Sequence, residues 1–156
     1  MAPPAPIAAL TASTTSQLRS GIVIPSLPAV LLELVQNSLD ARASSIQVVL
    51  DLERWSIRCD DDGCGLARDD LRRVGQERYW TSKADGGHET FGFRGEALAS
   101  VGEVAVLEVL TRRDTGDGES YSLLVRDGKV AFEGVARTKR VAGGTTVWAR
   151  DIFYKV

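Results

Sequence analysis

Histidine and cysteine are almost missing from these 156 residues, with one of the first and two of the second. Cys59 and Cys64 are separated by four residues and His88 lies far from both, which excludes zinc-finger ligand spacing. Two thiols build no disulfide framework, and they read as small buried or half-buried side chains in a reducing compartment. An excess of one charge is missing too. The 19 Lys and Arg against 21 Asp and Glu leave −2. No overall basic field therefore draws the chain to nucleic acid, and any DNA contact has to come from a local patch or another part of an assembly. No apolar run nears membrane-spanning length, so no membrane partner is expected. The opening "MAPPAPIAALTASTTSQLRSG" carries no charge before Arg19 and lacks both a basic signal start and an Arg-rich transit pattern. Residues 1–18 read as a flexible N-terminus, mobile until about Ser16.

What is present fits one globular domain, 19–156, with 44% apolar and 26% charged residues. From Ser26, apolar residues fall at Leu27, Val30, Leu31, Leu34, Val35 and Leu39, which is helical spacing. Ser26 suits the N-cap and Pro28 the first turn. "SSIQVVLDL" and "WSIRCDD" form a hairpin across Glu53-Arg54. "ARDDLRRVGQE" and "RGEALASVG" are short helices, and the Gly-rich stretch 79–92 is irregular. "VAVLEVLTRR", a hairpin around Asp127-Gly128, and "GGTTVWARDIF" supply about four more strands. The order predicts an α+β fold with antiparallel hairpins rather than a βαβ alternation.

The helix "ELVQNSLDA" poses a chemical question. At about 100° per residue, Asn37 lies about 40° from Glu33 and Asp40 about 20° to the other side, so the three share one stripe. A solvated face usually mixes in Lys or Arg. This one holds carboxylate, amide and carboxylate, a set able to offer oxygen to a hard cation and take a proton from water. On the stripe alone, the plainer reading is still a solvated face.

Three loops add to it. "DDDGCG" (60–65) puts acids at a strand end before two glycines, yet it has no third glycine of a dinucleotide fingerprint, no P-loop, and no EF-hand spacing. "TSK" (81–83) and "GFRGEAL" (92–98) place Lys83 and Arg94 near Gly95, taken here as the residue opening a helix, whose free N–H groups suit an anion. "GGTT" (143–146) brings hydroxyls into a strand. Each also has a plain structural reading as a turn, a capped helix or a strand start.

Taken in this order, the acid-amide helix, D-x-G-x-G, TSK, GFRGEAL and GTT resemble the ATPase region of the MutL family of DNA mismatch-repair proteins. That family belongs to the GHKL ATPases, with type II topoisomerases, heat-shock chaperones and histidine kinases. The resemblance covers roughly residues 20 to 154, and "GQERYWTSK" is most similar to the eukaryotic third MutL paralogue, the partner in the gamma heterodimer. It implies a two-layer α/β sandwich of the GHKL (Bergerat) type, with a mixed, mostly antiparallel sheet and helices on one face.

The resemblance also implies roles. Glu33 is the general base that activates the attacking water, and Asn37 coordinates Mg²⁺ bridging the phosphates of ATP. Asp61 accepts the adenine amino group, and Gly63 and Gly65 let the backbone approach the base. Thr81, Ser82 and Lys83 belong to a loop that orders around nucleotide. Phe93, Arg94 and Gly95 line the lid, while Glu96, Ala97 and Leu98 continue the helix facing the triphosphate. Thr145 is the hydroxyl near adenine. Asp40 is expected to support the site from behind or cap the next loop. The implied partners are a MutL-family subunit in a heterodimer, a MutS-family mismatch sensor, and DNA through the full-length assembly, in the nucleus and also in meiotic recombination.

Three departures shape the expectation. Asp62 stands where the family usually has Asn, adding charge beside the base pocket. Only residues 84–91 separate Lys83 from Gly92, fewer than usual, which predicts impaired closure. The family normally continues past "DIFYKV" into a second domain that supplies a lysine, so a fragment with weak ATP binding and little hydrolysis is expected. A catalytically dead fragment or non-catalytic interaction module stays open, as does another GHKL enzyme such as a kinase or topoisomerase subunit.

Overall fold

Residues 26–76 and 91–154 are described in the computed structural model, the side chains of 75–76 and 91–97 excepted. The expectations for residues 1–18 and for Thr81, Ser82, Lys83 and the short segment 84–90 lie outside the described residues.

Helix α1 (Leu27–Asp40) starts where Ser26, extended at φ −157° and ψ 162°, accepts the Ala29 N–H with its side-chain oxygen. The cap satisfies one of the orphan donors of the first turn, and Pro28 costs no hydrogen bond there. The helix stops at Ala41, after which Arg42 turns into the left-handed region at φ +57°. Strands β1 (Ile46–Asp51) and β2 (Ser56–Asp61) form the expected hairpin, its turn tied by the Asp51 carboxylate to the Glu53 and Arg54 N–H groups. Helix α2 (Arg68–Gln76) and helix α3 (Phe91–Val104) follow, then β3 (Val106–Arg112), β4 (Ser120–Arg126), β5 (Lys129–Val135) and β6 (Gly144–Arg150). The β4–β5 turn has φ of +53° at Asp127 and +64° at Gly128, the pair of positive values a tight primed turn needs.

The six strands lie in the order β1-β2-β6-β3-β4-β5. Every pairing among the described residues is antiparallel, in keeping with the mostly antiparallel α+β sheet that was expected. The reason is that β1–β2, β3–β4 and β4–β5 are joined by short turns, and β6 enters between β2 and β3 running against both. Helices cover one face only. On that face Val30 and Leu34, Leu71 and Val74, and Leu98 and Val101 from the helices pack on Ile57, Cys59, Leu107, Val109, Leu123, Val125, Val147 and Ala149 from the strands. Truncating a fully buried member such as Leu34 to Ala costs about 2–5 kcal/mol.

Two helix readings change. Leu39 is 54% exposed although its spacing suggests the core face. The buried row of α1 is Val30, Leu34 and Ser38 at i, i+4, and Leu39 lies about 140° round from Leu34. Helix α3 begins at Phe91, so Gly95 lies inside the helix instead of opening it. Glycine is a weak helix former by about 1 kcal/mol, yet the packing of Leu98 and Val101 outweighs that propensity.

Candidate functional site

Register decides what meets at the end of the sheet. Asp61, the last residue of β2, pairs with Thr145 near the start of β6, and Thr145 pairs with Thr111 near the end of β3. The three side chains stand in one row on the helix-covered face. Because α1 crosses that face with Val30, Leu34 and Ser38 inward, the last of these, a hydroxyl, comes down on Asp61.

The Asp61 side chain is almost spent. Oδ1 accepts the Gly63 N–H at 2.9 Å and the Thr145 N–H at 3.2 Å. Oδ2 accepts the Ser38 hydroxyl at 2.8 Å. A carboxylate oxygen has two lone-pair sites, so Oδ1 is full and Oδ2 keeps one. With Asp61 only 8% exposed, that remaining site is costly to leave dry, and it suits a ligand that donates.

Thr145 is anchored as well. Its hydroxyl lies 2.9 Å from that of Thr111, which also accepts the Leu66 N–H at 2.8 Å and sits 3.3 Å from the Gly144 carbonyl. Thr111 is fully buried, so its hydroxyl ties the β2–α2 loop to the two strands. The loop itself depends on glycine. At Gly65, with φ +72°, a Cβ would stand 2.1 Å from the Arg112 carbonyl oxygen, and at Gly63 it would stand 2.5 Å from Ala41 Cβ.

Above this row opens a small cleft of about 30 Å³, well under the about 300–1,000 Å³ usual for small-molecule sites. Its apolar lining includes Leu34, Ala41, Leu66, Leu98 and Val147, and its polar lining Asn37, Ser38, Asp61 and Thr145. Of the residues expected from sequence, Asn37, Asp61, Gly65, Leu98 and Thr145 therefore line one cavity, and Gly63 binds the Asp61 carboxylate. Glu33 is half-buried one turn before Asn37 and is not part of that lining. The side chains of Phe93, Arg94, Glu96 and Ala97, like Thr81, Ser82 and Lys83, are not among the described ones.

Three expectations are corrected. Asp40 lies exposed and accepts a hydrogen bond from Gln36, so it neither supports the site nor caps the loop. Asp62 points away from the pocket, where its Oδ1 takes the Ser44 and Ser45 N–H groups at 2.7 and 2.8 Å. The backbone N–H of Ser45 leads the forces that hold its carboxyl below the ordinary value, so the added charge caps the α1–β1 turn. Cys64, expected buried or half-buried, is exposed, whereas Cys59 is buried below the site and burial pushes its thiol up.

Sequence reasoning passed over Ser38, Thr111, Leu34, Ala41, Leu66 and Val147. Ser38 had a signal, since it continues the i, i+4 row of Val30 and Leu34. Thr111 had one as well, as the polar member of the alternation Leu107, Val109, Thr111.

With the geometry in place, comparison with known proteins decides the family. The family of histidine kinase-, DNA gyrase B- and HSP90-like ATPases matches residues 25–138. The chain belongs to this family. Within it, the chain is 41% identical over 143 residues to the DNA mismatch repair protein MLH3 of Arabidopsis thaliana, covering 88% of this chain and 12% of that protein. It is 32% identical to human Mlh3, over 96% of this chain and 11% of the relative. The MutL of Phenylobacterium zucineum is 37% identical, with 96% and 26% covered. The chain thus spans about a tenth of the eukaryotic relatives and about a quarter of the bacterial one. Among solved structures, the N-terminal domain of a DNA repair protein superposes with a TM-score of 0.69 at 30% identity, over 91% of this chain and 40% of the other. The ATPase domain of the mismatch repair endonuclease MutL from Aquifex aeolicus gives 0.60 at 26%, over 86% and 43%. Within the family the chain is similar to MutL-type mismatch-repair proteins, as its motifs implied.

Proposed function

We propose that this domain binds ATP with magnesium and hydrolyses it as the N-terminal engine of a MutL-type DNA mismatch-repair factor, most like the third eukaryotic paralogue. The observation that carries the reading is the single acceptor left on Asp61 Oδ2 within a cleft walled by Leu34, Leu66, Leu98 and Val147. A flat heterocycle with an exocyclic amino donor matches the acceptor and the apolar walls, which would part to admit it, and adenine is such a ring. Thr145 hydroxyl would meet a ring nitrogen, and the Gly63–Gly65 backbone would lie against the ring's edge.

The phosphates would extend along α1. Asn37, whose side chain lines the cleft, would hold the magnesium ion through its amide oxygen. An ion that keeps several waters and takes phosphate oxygens asks for few protein ligands. When bound, the ion spreads the charge that develops on the γ-phosphoryl. Glu33, one turn away, would orient a water molecule and take its proton as the water attacks in line. Arg94 and the first turn of α3 would face the triphosphate, with Phe93, Gly95, Glu96 and Ala97 forming that end of the lid, and Thr81, Ser82 and Lys83 would close over it. ATP-driven closure would bring this chain against a MutL-family partner in a heterodimer, and the assembly would answer a MutS-family sensor on DNA in the nucleus, including during meiotic recombination.

Calorimetric titration with ATP, with and without magnesium, tests the reading. Wild-type protein binds ATP and prefers it to inosine triphosphate, which carries a carbonyl in place of the amino group. Asn37→Ala keeps the magnesium-free affinity and loses the magnesium-dependent gain. Equal affinity for the two nucleotides would contradict the base assignment, and an undiminished magnesium gain in Asn37→Ala would contradict the metal assignment.

A further inference from the structure

Behind Asp61, on the sheet face opposite the described helices, lies a polar chain whose members are not part of the cleft's lining. Its hub is Arg140, in the segment 136–143 that joins β5 to β6. That segment is fastened at both ends to the fully buried Ser120: the Ala136 N–H donates to its carbonyl at 2.8 Å and the Arg140 N–H to its hydroxyl at 2.9 Å. Arg112 holds it from below, its Nη1 donating to the carbonyls of Arg140 and Val141 at 2.7 and 3.1 Å. Thus seated, the guanidinium of Arg140 forks. Nη1 donates to Thr146 Oγ1, which in turn donates to Asp60 Oδ1, and Nη2 donates at 2.9 Å to the main-chain carbonyl of Asp61. Arg58 closes the chain on the far oxygen of Asp60 at 2.8 Å.

Two features show that this contact is enforced. The Nε of Arg140 is buried without a hydrogen-bond partner among the described residues, an unfavourable arrangement that the fork's geometry tolerates. Gly144, at φ +132°, leaves the space: a Cβ there would lie 2.1 Å from the Asp61 carbonyl oxygen and 2.7 Å from Arg140 Nη2. Any side chain at 144 would push Arg140 off its target.

We propose that Arg140 is a positioning residue for base recognition: by gripping the Asp61 carbonyl from behind the sheet, it holds the last peptide of β2 so that the free acceptor on Asp61 keeps its aim into the cleft. The role rests on the nucleotide reading of the site. The Asp61 side chain is fixed from the front by Ser38, Gly63 and Thr145, and the backbone bearing it is fixed from the rear by one guanidinium. A shift of about 1 Å in such a group can cost about a hundredfold in a geometry-dependent step. Planarity and the two-pronged fork explain why arginine serves here, since a lysine offers a single point charge.

The test compares wild type with Arg140→Met, which keeps the stem's bulk and removes the fork, and with Arg140→Lys. Without nucleotide, hydrogen exchange is followed at the Gly63 and Thr145 amides, both donors to Asp61 Oδ1, with the Val109 and Leu123 amides as controls. The Met variant exchanges at least about tenfold faster at the first two with the controls unchanged, and the Lys variant recovers part of the protection. With nucleotide, the preference for ATP over inosine triphosphate falls about tenfold in the Met variant, the order of one strong hydrogen bond. Unchanged exchange at Gly63 and Thr145, or acceleration shared equally by the controls, overturns the role and leaves Arg140 a purely structural brace. So does an intact nucleotide preference in the Met variant. A wild-type protein with no such preference would remove the nucleotide reading instead, and the selective exchange effect would still establish that Arg140 positions Asp61.

Discussion

At the sheet end of the cleft, Asp61 is 8% exposed and accepts three hydrogen bonds, while the Thr111 and Thr145 hydroxyls join β3, β6 and the β2–α2 loop. At the helix end, Glu33 and Asn37 are half-buried on one stripe of α1. The first end is organised before anything binds, because register and buried partners leave its acceptor one direction to face. The second end presents half-buried groups along one stripe of a helix. In the proposed reading, recognition of the base and handling of the phosphates answer to different parts of the fold and are separable by substitution.

The sharpest separation is expected at Glu33. Glu33→Ala lowers ATP turnover by about 10²–10⁴-fold, the usual worth of a general base, with dissociation constants within about twofold of wild type. Steady-state phosphate release beside calorimetry measures both, and a parallel loss of affinity would erase the division between the two ends. Next in size is Asp61→Ala, which removes the carboxylate acceptor and leaves the Ser38 hydroxyl to the Leu34 carbonyl, 3.3 Å away. Affinity for ATP falls about 30- to 100-fold, on the order of 2–3 kcal/mol, while affinity for inosine triphosphate changes little. If both nucleotides weaken alike, the base end is not the selective one.

The smallest effect concerns acid. Burial works to raise the Asp60 carboxyl, but the Thr146 hydroxyl, Arg58 and Arg140 outweigh it and hold the carboxyl below its ordinary value. Its folded-state value is the lower one, so its contribution to stability is complete above about pH 4, the unfolded value, and is lost as pH falls further through the folded one. Urea midpoints measured from pH 6 down to about pH 3 should drop less in Asp60→Asn than in wild type below about pH 4. Identical slopes would mean that the chain behind Asp61 carries no net charge coupling.

Much of the site was legible because its signals are local. Glu33 and Asn37 follow from helical spacing, Ser26 and Pro28 from capping rules, and the Asp127-Gly128 hairpin from turn chemistry. The errors are also local rules pushed too far. Leu39 has a core-like spacing but faces out because α1 buries only a narrow row, and Gly95 looked like a helix start although α3 begins at Phe91. Asp62 seemed to charge the pocket, yet a side chain one residue past Asp61 turns to the opposite side and caps the Ser44-Ser45 backbone.

The sequence by itself determined the elements, the family and the order of its motifs, since each depends on neighbours within a few residues. Only the tertiary structure decided which groups complete the site. Ser38 meets Asp61 across 23 residues, Leu66 meets Thr111 across 45, and Arg140 meets Asp61 across 79. Those meetings exist because β6 enters between β2 and β3 in one register, and a slip of one residue would exchange Thr145 for Thr146 and turn the pocket's hydroxyl to the other face of the sheet.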